Sequence, residues 1–267
     1  MGCIIGSETR VMVLEVNGLY KSYKHKGRII EALKGISFSL PQGKRIGIVG
    51  ASGSGKSTIL KILSLLEKPS AGKVVVKKEE VWSGKLSKID RYRNLQLVSQ
   101  NAYESISPRM RIGDFLRAPL KNFDIVPNAE IETLVDQVLL DVELPLEVKH
   151  KYRHEVSGGQ LQRIAIARAL LIEPDVLLFD EPTSALDITT QRRILELIDK
   201  LYKKRGLSYI LVGHDIEMVR KMTDHILVMH EGEIVEALDT NKNTCIATHP
   251  YTKRLMEASS LTRLSAF

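Results

Sequence analysis

An α/β fold with a mostly parallel sheet is predicted by three features of this sequence. Strand-length apolar runs alternate with helix-length amphipathic segments through its second half, the pattern of parallel strands joined by crossover helices. A glycine-rich stretch, Gly50-Ala51-Ser52-Gly53-Ser54-Gly55-Lys56-Ser57-Thr58, lies between a buried-strand pattern and a helix pattern. Ahead of it, residues 11–48 alternate apolar and polar around turns, which predicts an antiparallel β subdomain.

In chain order, Val11 and Val13, then Ile36, Phe38 and Leu40, give period-two faces separated by turns such as Lys34-Gly35 and Pro41-Gln42-Gly43. Arg45–Val49 reads as a buried strand entering the glycine-rich stretch, and Ile59–Leu63 continues a helix leaving it. Short strands are expected at Val74–Val76 and Leu95–Val98. From about 101 to 172 the pattern becomes that of an inserted helical lobe. Asn128 is placed to cap a helix whose apolar face is Ile131, Leu134, Val135, Val138 and Leu139. A second lobe helix follows Ser157 through Leu161, Ile164, Ala165 and Arg168. After Pro174 come a strand at Val176–Phe179 and a helix facing inward through Ile194, Leu197, Ile198 and Leu201. A strand at Tyr209–Val212, a helix at Ile216–Met222 and a hairpin at 226–235 complete the core. Lys203-Lys204-Arg205 is expected as a solvated helix C-terminus, where cations suit the helix dipole.

A chain of 267 residues that is 43% apolar can bury a large core. No apolar run reaches the length that spans a bilayer, and no secretory signal pattern opens the chain. Met1-Gly2-Cys3-Ile4-Ile5-Gly6 resembles a myristoylation start without the required hydroxyl residue; residues 1–11 are expected to be a disordered leader. Two cysteines, Cys3 and Cys245, are too few for a cluster framework and fit a reducing, cytoplasmic compartment. The net charge of +7 favours anionic partners without choosing between nucleotide, nucleic acid and membrane.

The glycine-rich stretch fits the phosphate-binding pattern G-x-x-x-x-G-K-[ST]. Its glycines let backbone N–H groups converge on a phosphate, and a following helix presents its positive end. Lys56 can reach the β- and γ-phosphates, and Ser57 can ligate Mg²⁺. The implied ligand is a nucleoside triphosphate. A second acidic element supports hydrolysis: the apolar strand 176–179 delivers Asp180 and Glu181, which a packed strand end gives no structural reason to gather. Asp180 would hold Mg²⁺, and Glu181 would polarise the water that attacks the γ-phosphate. A third element, Ser157-Gly158-Gly159-Gln160, opens a helix with exposed N–H groups, a further anion site that one nucleotide cannot easily reach from within the same subunit.

Ser157-Gly158-Gly159-Gln160 followed by Leu161-Gln162-Arg163-Ile164-Ala165-Ile166-Ala167-Arg168-Ala169-Leu170 resembles the signature segment of ABC-type ATPases. The order phosphate loop, Gln100, signature, Asp180-Glu181, Ser184-Ala185-Leu186-Asp187, then His214-Asp215 is also that family's, and the resemblance covers roughly residues 12–240. Val156 replaces the usual Leu ahead of the signature Ser. The resemblance implies a head-to-tail dimer, with ATP held between the loop Gly50–Thr58 of one subunit and Ser157, Gly158, Gly159 and Gln160 of the other. It further implies that Gln100 senses Mg²⁺ and the attacking water, that His214 contacts the γ-phosphate, and that Asp187 crosses the dimer interface. Tyr23 falls where the family stacks an aromatic ring on adenine, with Tyr20 as the alternative.

The interval from Lys56 to Ser157 holds neither the coiled coil nor the zinc modules of DNA-repair relatives, so the chain is similar to an importer's ATPase subunit. Asn101-Ala102-Tyr103-Glu104-Ser105-Ile106-Ser107-Pro108-Arg109-Met110 and the tail Thr248-His249-Pro250-Tyr251-Thr252-Lys253-Arg254-Leu255 resemble the oligopeptide, dipeptide and nickel importer group. The tail, 241–267, stops short of the cysteine-rich extension of larger members, so an iron–sulfur cluster is not expected, and the shorter form is more similar to nickel or metal-chelate importer subunits. The group implies a second ATPase subunit, identical or different, membrane permease subunits, an extracytoplasmic solute-binding protein, and a peripheral place on the cytoplasmic face of the membrane. A soluble ABC ATPase acting on nucleic acid and a regulatory nucleotide-binding subunit are the alternatives; nucleic acid is not the expected partner.

Overall fold

The computed structural model describes residues 11–25, 27–83, 87–240 and 246–264. Most of the expected leader and Cys245 lie outside the described residues. In chain order the strands and helices begin with β1 (Met12–His25), β2 (Arg28–Pro41), β3 (Arg45–Val49), α1 (Lys56–Leu63), β4 (Ala71–Val76), β5 (Glu79–Glu80) and α2 (Lys88–Asn94). Then come β6 (Leu95–Val98), α3 (Ala102–Ser105), α4 (Ile112–Asn122), α5 (Ile131–Asp141), α6 (Gly158–Leu170), β7 (Val176–Asp180) and α7 (Ile188–Arg205). The chain ends in β8 (Tyr209–Gly213), α8 (Ile216–Met222), β9 (His225–His230), β10 (Glu233–Asp239) and α9 (Pro250–Leu264). Tyr92–Leu207 forms one compact unit, and the described residues on either side form the other.

In the outer unit, β1 and β2 pair antiparallel, with Val16 opposite Phe38 and Leu14 opposite Leu40. β1 also pairs antiparallel with β4, and β4 with β5, giving the expected antiparallel subdomain in the order β2-β1-β4-β5. The same unit holds a parallel set in which β3 runs beside both β8 and β9, with β10 returning antiparallel on β9. Ile46, Ile48 and Val49 are buried, as strands covered on both faces must be. Helix α8 rides directly on this backbone: a Cβ built at Gly47 would lie 2.1 Å from the Val219 side chain. Asp224 is buried and ties the α8–β9 turn to the start of β3, accepting from the Arg45 N–H at 2.9 Å and from its guanidinium at 3.0 Å. Removing one partner of so buried a pair would cost about 3–5 kcal/mol.

In the inner unit, β6 and β7 pair in parallel, so the compact body is not helical alone. Helix α7 buries Ile194, Leu197, Ile198 and Leu201, the face its spacing predicts. Helix α4 buries Ile112, Phe115, Leu116 and Leu120 and carries Pro119 toward its C-terminal end.

One expectation is corrected here and another is extended. Asn128 does not cap a helix: with Glu130 it forms a 3-10 turn after Pro127, and α5 starts at Ile131 with no side-chain cap. The expected inward face of α5 is otherwise present, with Ile131, Val135, Val138 and Leu139 buried and Leu134 half-buried. The basic end of α7 is a solvated helix C-terminus, as expected, with Lys203 and Lys204 exposed, and it is ion-paired as well. Lys204 Nζ meets Asp141 at 2.6 Å, Arg205 takes the other oxygen of the same carboxylate, and Lys203 pairs with Asp199 at 2.7 Å. The Asp141 side chain is only 8% exposed. Burial pushes its pKa up, but Lys204 and Arg205 together outweigh burial and hold it below the usual carboxylate value.

Candidate functional site

The phosphate loop follows from β3 entering a turn that the surrounding backbone leaves no room to widen. A Cβ at Gly50 would lie 2.3 Å from the Met229 carbonyl oxygen, and one at Gly55 would lie 2.6 Å from that of Ala32. Gly55 also adopts φ 104, a left-handed conformation open to glycine, and it caps α1. The Ser54 N–H closes the turn on the Ala51 carbonyl at 3.2 Å, and the β9–β10 turn braces it from outside, Gly232 N–H to Ser54 carbonyl at 3.1 Å. Lys56 is buried, and its ammonium donates to the carbonyls of Gly50 at 2.8 Å and Ala51 at 2.9 Å. Ala51, Ser52, Gly53 and Ser57 are exposed, while Ser54 is buried and Thr58 half-buried. The result is a rigid, N–H-bearing turn at the positive end of a helix, suited to a phosphate chain.

Of the two candidate tyrosines, Tyr23 is the one placed beside this loop. Its hydroxyl donates to Glu67 at 2.6 Å. Burial and the Glu67 carboxylate raise its pKa, and a hydrogen bond with Thr58 of α1 lowers it in part. Glu67 also receives Lys21 at 3.3 Å and Lys61 at 3.4 Å; its pKa is held below the usual value, mainly by Tyr23, against desolvation. Tyr20 instead lies over Gly35, its hydroxyl 2.9 Å from where a Cβ there would sit.

Asp215 accepts the N–H groups of Glu217 and Met218 at 2.9 and 3.3 Å, capping α8 and setting the turn that carries exposed His214.

The inner unit brings the other candidates together. Strand β7 buries Val176 to Phe179 and leaves Asp180 and Glu181 half-buried at its end. Glu181 takes φ 41, an uncommon conformation for a residue with a side chain. The turn that follows is closed on it: the Ser184 N–H and hydroxyl both donate to the Glu181 carbonyl, at 3.2 and 3.1 Å. The Gln100 amide donates to the same Ser184 hydroxyl at 2.9 Å. Gln100, 81 residues before Glu181 in the sequence, is therefore one hydrogen bond from the acidic turn. Its carboxamide oxygen takes no part in that bond.

The signature segment is a complete capping box. Ser157 Oγ accepts the Gln160 N–H at 3.3 Å, and Gln160 Oε1 accepts the Ser157 N–H at 2.9 Å. Gln160 thus shapes the turn besides any part in binding. Ser157 and Gly158 are exposed, and Gly159 is fitted closely to α7, a Cβ there falling 2.5 Å from Thr190 Cγ2. Asp187 is exposed and caps α7 through the Thr190 N–H at 3.0 Å. The Thr190 hydroxyl and N–H hold its pKa below the usual value. Sequence reading did not anticipate this capping role, although Asp before a helix pattern is a signal for it.

It also did not anticipate two further contacts. Arg153 donates to the carbonyls of Tyr103 at 2.9 Å and Ile106 at 2.7 Å, binding the segment after Gln100 to the approach to the signature. Tyr251, in the tail, accepts the Ala51 N–H of the phosphate loop at 2.8 Å.

Each residue expected to hold Mg²⁺, Ser57 in one unit and Gln100 and Asp180 in the other, carries an oxygen donor, the kind a hard cation takes beside water and phosphate. Among the described residues no group of three or more His, Cys, Asp or Glu side chains could hold a metal by itself. Among the same residues no helix is long and apolar enough to cross a membrane.

Comparison with known proteins bears on this set of turns. The sequence profile described as "ABC transporter" matches residues 33–184. A putative peptide import ATP-binding protein of Brucella ovis is 36% identical over 251 residues, covering 94% of this chain and 79% of that protein. The oligopeptide transport ATP-binding protein OppF of Haemophilus influenzae is 37% identical over 269 residues, covering 94% and 79%. Among solved structures, the ATP-binding cassette MJ0796, a dimer in a post-hydrolysis state with ADP and phosphate, has a TM-score of 0.75 at 30% identity, covering 85% of this chain and 98% of that one. The cbiO1 protein of Clostridium perfringens, part of the ABC transporter complex cbiONQ, has a TM-score of 0.75 at 26% identity, covering 96% and 95%. With its phosphate loop, acidic strand end and capped signature helix in the family's order, the chain belongs to the ABC transporter family, as one of its ATPases.

Proposed function

We propose that this chain is an energising subunit of a peptide importer, peripheral on the cytoplasmic face of the membrane and coupled to permease subunits. What carries this reading is the run of relatives named for peptide transport: the Brucella ovis and Haemophilus influenzae proteins match across 94% of the chain, into its tail. Those names favour peptide over nickel or metal-chelate cargo, and transport over action on nucleic acid.

In the proposed cycle the Lys56 ammonium and the loop N–H groups bind the triphosphate, and Tyr23 stacks on adenine. The hydrogen bonds of Tyr23 beside α1 support it over Tyr20. Bound Mg²⁺, held through Ser57, Gln100 and Asp180, would neutralise charge on the phosphates. Glu181 takes a proton from the attacking water, His214 steadies the γ-phosphate, and Gln100 reports their presence to the lobe through its own segment. Ser157, Gly158, Gly159 and Gln160 close on the nucleotide of a second subunit, identical or different, with Asp187 at that interface. The exposure of Ser157, Gly158 and Asp187 supports a role toward something outside their own unit. A solute-binding protein would deliver peptide on the far side.

Two substitutions test the assignment. Lys56→Ala should weaken ATP binding, and unchanged affinity in equilibrium titration would overturn the loop. Glu181→Gln should keep ATP affinity while slowing turnover by about 10²–10⁴-fold; brisk steady hydrolysis would remove Glu181 from the chemistry.

A further inference from the structure

We propose that Tyr251 is a positioning residue for the phosphate loop, using its hydroxyl to fix the peptide that seats the Lys56 ammonium. Ala51 is gripped at both ends of its own backbone. Its N–H donates to Tyr251 Oη at 2.8 Å, and its carbonyl accepts Lys56 Nζ at 2.9 Å. The preceding carbonyl, of Gly50, takes the same ammonium at 2.8 Å. Because a peptide plane is stiff, holding the Ala51 N–H fixes the tilt of the Gly50 carbonyl that shares its plane. Among the described residues, the Tyr251 hydroxyl is the group that holds that N–H at this edge of the loop.

Tyr251 is itself held from three directions, as a positioning group must be. Its ring stacks on His230, with centroids 4.0 Å apart and planes 24° apart. Its N–H donates to His249 Nδ1 at 3.2 Å. Just before it, Glu236 Oε1 gathers the Thr248 N–H and hydroxyl, each at 2.6 Å, and the His249 N–H at 3.2 Å. Burial pushes the Glu236 pKa up, but these hydrogen bonds outweigh it and keep the group a carboxylate, hence a strong acceptor. The hairpin that supplies His230 and Glu236 also braces the loop through Gly232 and Ser54. Farther along α9, Ser259 donates to Asp215 at 2.8 Å, beside His214. The tail therefore grips two of the segments expected to face the triphosphate.

The inference rests on residues 50–58 being the phosphate loop, which Lys56→Ala tests separately. Tyr251→Phe removes the hydroxyl and leaves the ring on His230. In the full chain it should raise KM for ATP about three- to tenfold, the span that losing one hydrogen bond gives, with kcat changed by less than about twofold and the thermal midpoint held. Tyr251→Ala, which also removes the stacking, should lower the thermal midpoint as well. If Tyr251→Phe keeps the wild-type KM while Tyr251→Ala is impaired, the tail only packs and the proposal is wrong. A fall in kcat alone would likewise overturn it, placing the hydroxyl in the chemistry instead of in the seating of Lys56.

Discussion

The phosphate loop and the signature segment are both glycine-bearing turns that open helices, yet they are held in opposite ways. The loop is shaped by backbone from distant strands: Ala32 in β2 and Met229 in β9 crowd Gly55 and Gly50. The signature is shaped by its own side chains, Ser157 and Gln160, and is crowded only by side-chain tips, Leu186 and Thr190. Backbone walls cannot yield, so the loop is finished before any ligand arrives. Side-chain walls can, and the exposed signature suits a contact that forms and breaks.

That contrast can be broken by substitution, and the largest effect is expected in the loop. Gly55→Ala must fit a Cβ against a carbonyl at 2.6 Å with φ at 104. A loss of about 3 kcal/mol or more should appear in urea unfolding, with ATP binding abolished; a stable, binding variant would show that the wall moves. Gly159→Ala should cost about 1–3 kcal/mol, and Thr190→Ser in the same chain should restore most of it by removing Cγ2 and keeping the hydroxyl. Absence of rescue would mean that backbone, not Thr190, confines the signature.

A smaller loss, roughly 1–2 kcal/mol, is expected for Asp141→Asn, which frees Lys204 and Arg205 at the far end of α7. Because the folded pKa of Asp141 is depressed, its contribution is present above the unfolded pKa of about 3.9 and disappears as pH falls through the folded value. The gap between wild-type and variant urea midpoints should therefore be full at pH 7 and close in acid; a gap that persists there would assign the effect to packing. Smallest is Ser157→Ala, about 1 kcal/mol from the lost cap, seen in the urea midpoint. Because the cap is local, ATP affinity of the isolated chain should hold; a change would tie the signature to the loop within one chain.

What the sequence made legible follows the same division. The helix start at Ser157, the inward face of α7 and the strand leading to Asp180 are local patterns, and each stands where its spacing put it. The loop was readable as a motif, but its walls were not, since Ala32 and Met229 carry no mark of approaching it. The grip of Tyr251 on Ala51 joins residues 200 apart in sequence, beyond any periodicity. Asn128 misled because Pro127 before it favours an extended entry into a 3-10 turn, with the helix beginning only at Ile131. The ion pairs at the end of α7 were not legible because a basic run says nothing about a carboxylate at the end of another helix. Helix α9 was read as a tail motif and not as a helix, its polar composition giving no clear inward face.

Glu181 combines the strand end, the uncommon backbone angle and the expected proton acceptor in one residue. A residue held at φ 41 stores conformational strain that glycine would not. Selection for thermal endurance alone would therefore press on the side chain proposed to take the proton in hydrolysis, and should recover Glu181→Gly among the sturdier and inactive forms. On the proposed mechanism, durability and turnover compete at this backbone angle.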